Sequence, residues 1–216
     1  MSGSAPLPIS VWNRIAKRSG VQILERYGMT ETVVLTSNPV EGIRKAGTVG
    51  RPIPGVELRL GAGDAVEVRG ASVFSAYLDR PHATEAAFTA DGWFRTGDVG
   101  SIDDDGYLSL VGRTSELIIS GGFNVYPREL EDVLREHPLV IDIAVVGTPD
   151  EEWGEIVTGY VVLDESASAY SSWRDTLMAH ASERLAPFKI PRVWHRLPEL
   201  PRNAMGKVVR SELTPP

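Results

Sequence analysis

Cysteine is absent from the 216-residue chain. That excludes disulfide frameworks, thiol nucleophiles and thiolate metal sites, and it fits a reducing compartment. Long apolar runs are missing too. None approaches the ~20 residues of a membrane span, and no basic segment followed by an apolar stretch opens the chain. These features read as a cytoplasmic protein without a membrane span. Basic charge is in short supply: 22 Lys and Arg stand against 29 Asp and Glu, a formal charge of −7. Nucleic acid is therefore not an expected partner. His82, His137, His180 and His195 are scattered without ligand spacing and receive neither a metal nor a catalytic role. No internal repeat or low-complexity segment occurs. The remaining composition, 42% hydrophobic and 24% charged, is that of an ordinary soluble globular protein, long enough to bury roughly 70% of its unfolded surface.

The stretch Gly112 to Glu131, GRTSELIISGGFNVYPRELE, organises the rest. Arg113 is a fixed cation beside the small polar Ser115. Leu117-Ile118-Ile119 has strand length, and Ser120-Gly121-Gly122 lets backbone approach a ligand without side-chain obstruction. Pro127 suits a first helical position, with Glu129, Glu131 and Asp132 near the positive helix end. Leu130, Val133 and Leu134 give that helix an apolar face, and His137-Pro138 stops it.

Upstream, a helix with Val11, Trp12, Ile15 and Ala16 on one side is closed by Gly20. Val21 to Leu24 reads as a short buried strand leading into Tyr27-Gly28-Met29-Thr30-Glu31. Val56, Leu58 and Leu60 alternate with Glu57 and Arg59, and Val66 and Val68 repeat the alternation. Asp91-Gly92 and Asp105-Gly106 are hairpin-type turns, and a loop with a short helix fills Phe74 to Ala87. Beyond the central stretch, strands at Val140 to Val146 and Ile156 to Leu163 alternate with helices. Ser172 with Asp175 has a capping-box spacing, and Trp173, Leu177, Ala181 and Leu185 recur every four residues as a core stripe. Val193-Trp194-His195 is an expected edge strand. The fold class is α+β: an antiparallel β-rich part over 1–112, then a small α+β unit over 113–216.

Five motifs carry a family resemblance. They are YGMTE at Tyr27 to Glu31, WFRTGD ending at Asp98, the GR at Gly112-Arg113, the SGG turn, and PRNAMGK ending at Lys207. In that order they resemble the adenylate-forming enzymes, the superfamily of acyl-CoA synthetases, peptide-synthetase adenylation domains and luciferases. The lead-in SGSAPLP, TSNPVEG and LPRNAMGK resemble above all malonyl-CoA synthetases and nearby fatty-acid-CoA ligases. The resemblance implies an acid–thiol ligase that joins a carboxylic acid to ATP and then to coenzyme A, with Mg²⁺ as the metal.

By the same resemblance, Tyr27 and Gly28 lie near adenine, Thr30 touches the AMP phosphate and Glu31 holds Mg²⁺. Asp98 takes the ribose hydroxyls with Arg113 as second contact. Gly121, Gly122, Trp153 and Phe188 serve coenzyme A, and Lys207 is the adenylation lysine. Magnesium prefers oxygen ligands, commonly one or two carboxylates plus phosphate oxygens. A point charge on a flexible stem suits neutralisation of a carboxylate attacking phosphate. Ser115 departs from the Asp or Lys usual at the family's hinge position, though a small polar residue still absorbs a backbone rotation. Residues 113–216 are then a mobile lid, presenting Lys207 in one step and the Gly121 face in the other. The resemblance also implies silencing by acylation of Lys207, which erases its charge.

The family's Gly/Ser/Thr-rich phosphate loop has no counterpart here. The resemblance thus places the chain as the C-terminal part of such a synthetase, with little adenylation activity alone and with surface over 1–112 prone to self-association. Two alternatives stand beside it: another acceptor, such as a carrier-protein phosphopantetheine, and a non-catalytic interaction or regulatory module.

Overall fold

The computed structural model describes residues 1–3, 7–164 and 172–213; part of the SGSAPLP lead-in (residues 4–6) lies outside them. The chain divides into two compact units, Met1–Thr114 and Ser115–Pro216. The division falls in a short 3₁₀ turn, Thr114–Glu116. Among the described residues no helix is long and apolar enough to cross a membrane.

In the first unit, helix α1 (Ile9–Ser19) buries Trp12 and closes on Gly20, whose φ of 69° lets its N–H reach the Ala16 carbonyl. The strand expected at Val21 to Leu24 does not form. Its carbonyls are taken elsewhere: the Trp12 indole donates to Ile23 O and Arg44 to Gln22 O, while Ser2 N donates to Leu24 O. With the Gln22 and Ile23 carbonyls satisfied by side chains, neither pairs with a neighbouring strand. Glu25 makes an isolated parallel bridge to Ser2, and regular pairing starts at β1 (Arg26–Tyr27), which with β2 (Thr36–Ser37) and β3 (Arg51–Pro52) makes a small antiparallel sheet.

A second antiparallel sheet runs in chain order through β4 (Val56–Leu60), β5 (Ala65–Gly70), β6 (Phe94–Ile102) and β7 (Leu108–Arg113). Helix α2 (Pro81–Ala87) lies between β5 and β6 in sequence. Tyr27, Leu35, Val66, Val68, Phe94 and Leu108 form the core. Inward and outward residues alternate along β6 only as far as Gly97. There the backbone turns to φ 76°, the register shifts between Val99 and Gly100, and Asp98 and Val99 both end up buried. Asp98 keeps to the buried side that Phe94 and Thr96 occupy, and the irregularity brings Val99 and Gly100 in beside it.

The second unit corrects the central stretch. The glycine pair does not join strand to helix directly. It closes a hairpin between β8 (Ile118–Ser120) and β9 (Phe123–Val125), with Ser120 opposite Phe123. Gly121 and Gly122 have φ of 57° and 81°, the double left-handed geometry of a two-residue hairpin turn. Helix α3 (Pro127–Arg135) follows, then β10 (Val140–Asp150) and β11 (Gly154–Leu163), helix α4 (Trp173–Ser182) and β12 (Val193–Arg196). The sheet order is β10-β11-β8-β9, with β12 parallel to β11. Ser172 does sit at the α4 N-cap, but its side chain makes no capping bond. The hydrogen bonds there run to its carbonyl, from the Thr176 N–H and hydroxyl.

Both faces of this sheet are covered. Ile143, Val145, Val157 and Val161 pack with Leu130 and Leu134 of α3 and Leu177 and Ala181 of α4. Their neighbours Ala144, Val146, Tyr160 and Val162 pack on Leu197, Leu200, Val208 and Leu213. The period of two along each strand thus assigns the helices to one face and the C-terminal stretch to the other.

Candidate functional site

In the first unit β1, β6 and β7 bring Tyr27, Asp98 and Arg113 together. Asp98 is 6% exposed. The Tyr27 hydroxyl donates to its Oδ2, and Arg113 Nε donates to its Oδ1 at 2.9 Å. Thr96 Oγ1 accepts from the Asp98 N–H at 3.1 Å and donates to Val66 O at 2.9 Å, fixing the bulge. Burial, then the neighbouring Asp98, holds the Tyr27 phenol far above its ordinary range, so it stays a donor at any physiological pH. A carboxylate has about four acceptor positions; the Tyr27 hydroxyl and Arg113 Nε each take one, on different oxygens.

Gly28 has its own packing reason: a Cβ there would lie 2.0 Å from the Val33 carbonyl oxygen. Only glycine allows the tight turn in which Met29 O accepts from Thr32 N and Val33 N. Thr30 is exposed on this turn and, among the described residues, makes no hydrogen bond through its hydroxyl. Glu31 is half-buried and accepts from the Tyr77 hydroxyl at 3.1 Å. Burial and then Glu31 push the Tyr77 phenol up. Sequence reading missed Tyr77, which sits in a loop 46 residues away with no pattern to mark it.

In the second unit Gly121 N donates to Trp153 O at 3.0 Å, and a Cβ on Gly121 would meet the Trp153 ring at 2.5 Å. The Arg192 guanidinium covers that ring at 3.7 Å. Gly121, Trp153 and Arg192 therefore make one layered surface. Phe188 stacks instead on the half-exposed Phe123 at 4.4 Å and packs against the main core. Its neighbour Lys189 is held by both carboxylate oxygens of Glu129 at 2.6 Å. Gly122 closes the hairpin with no atom near its missing Cβ. His137 and His180, far apart in sequence, stand edge to face at 5.1 Å.

Lys207 lies on a loop closed by the Arg202–Val208 bridge. Asn203 Oδ1 accepts from Met205 N and Lys207 N, both at 3.0 Å, and Gly206 takes φ 78°. Lys207 is exposed, and among the described residues its ammonium makes no hydrogen bond or ion pair.

Among the described residues no group of three or more His, Cys, Asp or Glu is placed to hold a metal. A magnesium ion held largely by phosphate needs no such cage, since it keeps waters and takes one or two carboxylates. Glu31, half-buried with one phenol partner, fits that donor set.

Residues 1–78 match the AMP-binding enzyme family and residues 129–207 match the AMP-binding enzyme C-terminal domain. The chain belongs to the AMP-binding, adenylate-forming enzyme family. It is 43% identical over 233 residues to a probable CoA ligase, CCL8, of Humulus lupulus, covering 99% of this chain and 38% of that protein. It is 40% identical over 232 residues to a malonate–CoA ligase of Arabidopsis thaliana, with the same coverage. ATP-bound MatB from Rhodopseudomonas palustris superposes with a TM-score of 0.89 at 41% identity, over 97% of this chain and 43% of that one. The chain thus spans about two fifths of the length of the relatives it matches.

Proposed function

We propose that this chain serves an acyl-CoA synthetase reaction, in which a carboxylate and ATP give acyl-AMP and pyrophosphate, and coenzyme A then displaces AMP. The buried Tyr27–Asp98–Arg113 cluster is the observation that carries this reading. It offers a fixed carboxylate held by a phenol and a guanidinium from two other strands. Asp98 receives the 2′ and 3′ hydroxyls of the ribose, Arg113 completes that contact, and the Tyr27 ring flanks the base beside Gly28. The exposed Thr30 hydroxyl donates to the phosphate. Glu31 holds magnesium, which when bound neutralises phosphate charge.

In the first step a carboxylate oxygen bonds to the α-phosphorus and the bond to pyrophosphate breaks; the Lys207 ammonium stabilises the charge that builds there. In the second, the thiol sulfur bonds to the acyl carbon and AMP leaves. The layered Gly121–Trp153–Arg192 surface and the Phe188 stack are suited to a pantetheine arm and its nucleotide. Residues 113–216 act as a mobile lid that presents these two faces in turn. The acid is of the malonate or fatty-acid class, the substrates named for several similar ligases.

Calorimetry with adenosine nucleotides tests this reading. AMP is expected to bind, whereas 2′,3′-dideoxy-AMP and the Asp98→Ala variant lose roughly 1.5–3 kcal/mol, the usual worth of hydrogen bonds to a charged group. Equal affinity for AMP and its dideoxy form would remove Asp98 from the nucleotide site.

A further inference from the structure

The Asn203 side chain and the Arg202–Val208 bridge shape the Lys207 loop from within, and further contacts fasten its flanks to the rest of the second unit. Both ends are held by charge. Arg202 pairs with Asp142 of β10 and also donates to the Gly206 carbonyl. Arg210 Nη2 lies 2.7 Å from Glu131 Oε1 on α3. Arg135 closes the gap between these two contacts, 3.4 Å from Glu131 and 3.7 Å from Asp142. The result is an alternating chain, Arg202–Asp142–Arg135–Glu131–Arg210, that starts and finishes on the two ends of the Lys207 loop.

Glu131 is its centre and is out of place by ordinary rules. It is 4% exposed, next to the fully buried Leu130 in the sequence, where a carboxylate costs stability unless its oxygens are satisfied. One oxygen also accepts from Val145 N at 2.9 Å, capping an outward N–H of β10, whose one ladder partner among the described residues is β11. Edge protection alone needs a single acceptor, and it does not call for an arginine 79 residues away in sequence. Arg210 Nη2 is further placed 3.8 Å from Glu116 Oε2, in the turn at which the two units divide.

We propose that the Glu131–Arg210 pair is a positioning device for Lys207, with Glu131 and Arg210 acting through the loop and not on the reacting atoms. Its centre joins the Lys207 loop to helix α3 and lies beside Glu116, just inside the second unit. Deleting either partner releases the C-terminal end of the loop while Leu200 and Leu213 remain buried on the sheet. This inference rests on reading Lys207 as the adenylation lysine.

The test is amide order by ¹⁵N relaxation on the full chain, in Arg210→Met, Arg210→Lys and Glu131→Gln. Order at Asn203, Gly206 and Lys207 is expected to fall in Arg210→Met and Glu131→Gln, and to recover in part in Arg210→Lys, with β10 and β11 unchanged. The same order in all variants, or a loss spread evenly through the second unit, overturns the proposal. Arg210→Lys and Glu131→Gln decide it if Arg210→Met does not fold. ATP–pyrophosphate exchange separates the two readings. Where the chain supports exchange, Arg210→Met should lower kcat roughly tenfold to a hundredfold with KM for ATP little changed; an unchanged kcat with a disordered loop also overturns the proposal. Exchange that survives Lys207→Ala would instead reject the role of Lys207, leaving the amide result to stand or fall on its own.

Discussion

The two units solve the same problem differently. The second wraps both faces of one five-stranded sheet, with helices on one side and the C-terminal stretch on the other. The first divides its strands between two sheets, one built of two-residue strands, and leaves Val33, Val40, Ile43 and Leu78 more than 70% exposed. Its order depends on polar ties across long sequence gaps, such as Tyr27 to Asp98 and Tyr107 to the Ile43 carbonyl. Packing therefore dominates the second unit, whereas hydrogen bonds to fixed acceptors shape the site of the first. A ribose or phosphate needs fixed polar partners; a lysine loop or an aromatic layer needs a firm base.

The largest effect that sharpens this contrast is a pair of truncations. Ile143→Ala, at a fully buried position, should cost the second unit about 2–5 kcal/mol. Leu78→Ala, at an 87% exposed position, should stay within about 0.5 kcal/mol. Urea unfolding followed by hydrogen exchange in each unit measures both; equal losses would break the contrast.

Gly121→Ala comes next. The left-handed backbone alone costs about 1–2 kcal/mol for a residue with a Cβ, and the Trp153 ring must also move. A lower melting temperature with a shifted tryptophan emission is expected; a shift in neither would mean the hairpin is not rigid.

The smallest effect is a pH dependence. Burial, then His180, holds His137 below its ordinary value of 6.5. The unfolded chain therefore binds more protons just below that pH. Stability from this group is present above about 6.5 and declines as pH falls through the lowered folded value. His137→Gln should flatten stability between those two values, and an unchanged slope would assign the dependence to other groups.

Much of this was legible in the sequence. The period-two alternation of Val56 to Val68 and the four-residue recurrence from Trp173 to Leu185 each mark the buried face that forms. Punctuation misled where local signals compete. Gly121-Gly122 reads equally as a loop or a hairpin turn, and only pairing of Ser120 with Phe123 decides. Val21 to Leu24 is apolar enough for a strand, yet side chains from elsewhere claim its carbonyls. Of the candidate site, the motifs pointed to Asp98 and Lys207, but not to the Tyr27 hydroxyl bond that holds one or the charge chain that brackets the other. Tyr77 and Arg210 join through three-dimensional contacts that no spacing announces. Glu131 looked like a helix-dipole carboxylate near the N-terminus of α3, whereas it is the buried hub of an ion network.

The proposed function assigns the AMP contacts to the first unit and the coenzyme A contacts to the second. Titration of AMP and of coenzyme A into the wild-type chain, Asp98→Ala and Trp153→Ala tests it most directly. A double dissociation is expected: Asp98→Ala loses AMP and keeps coenzyme A, and Trp153→Ala does the reverse. Loss of both ligands in either variant, or of neither in both, would contradict it.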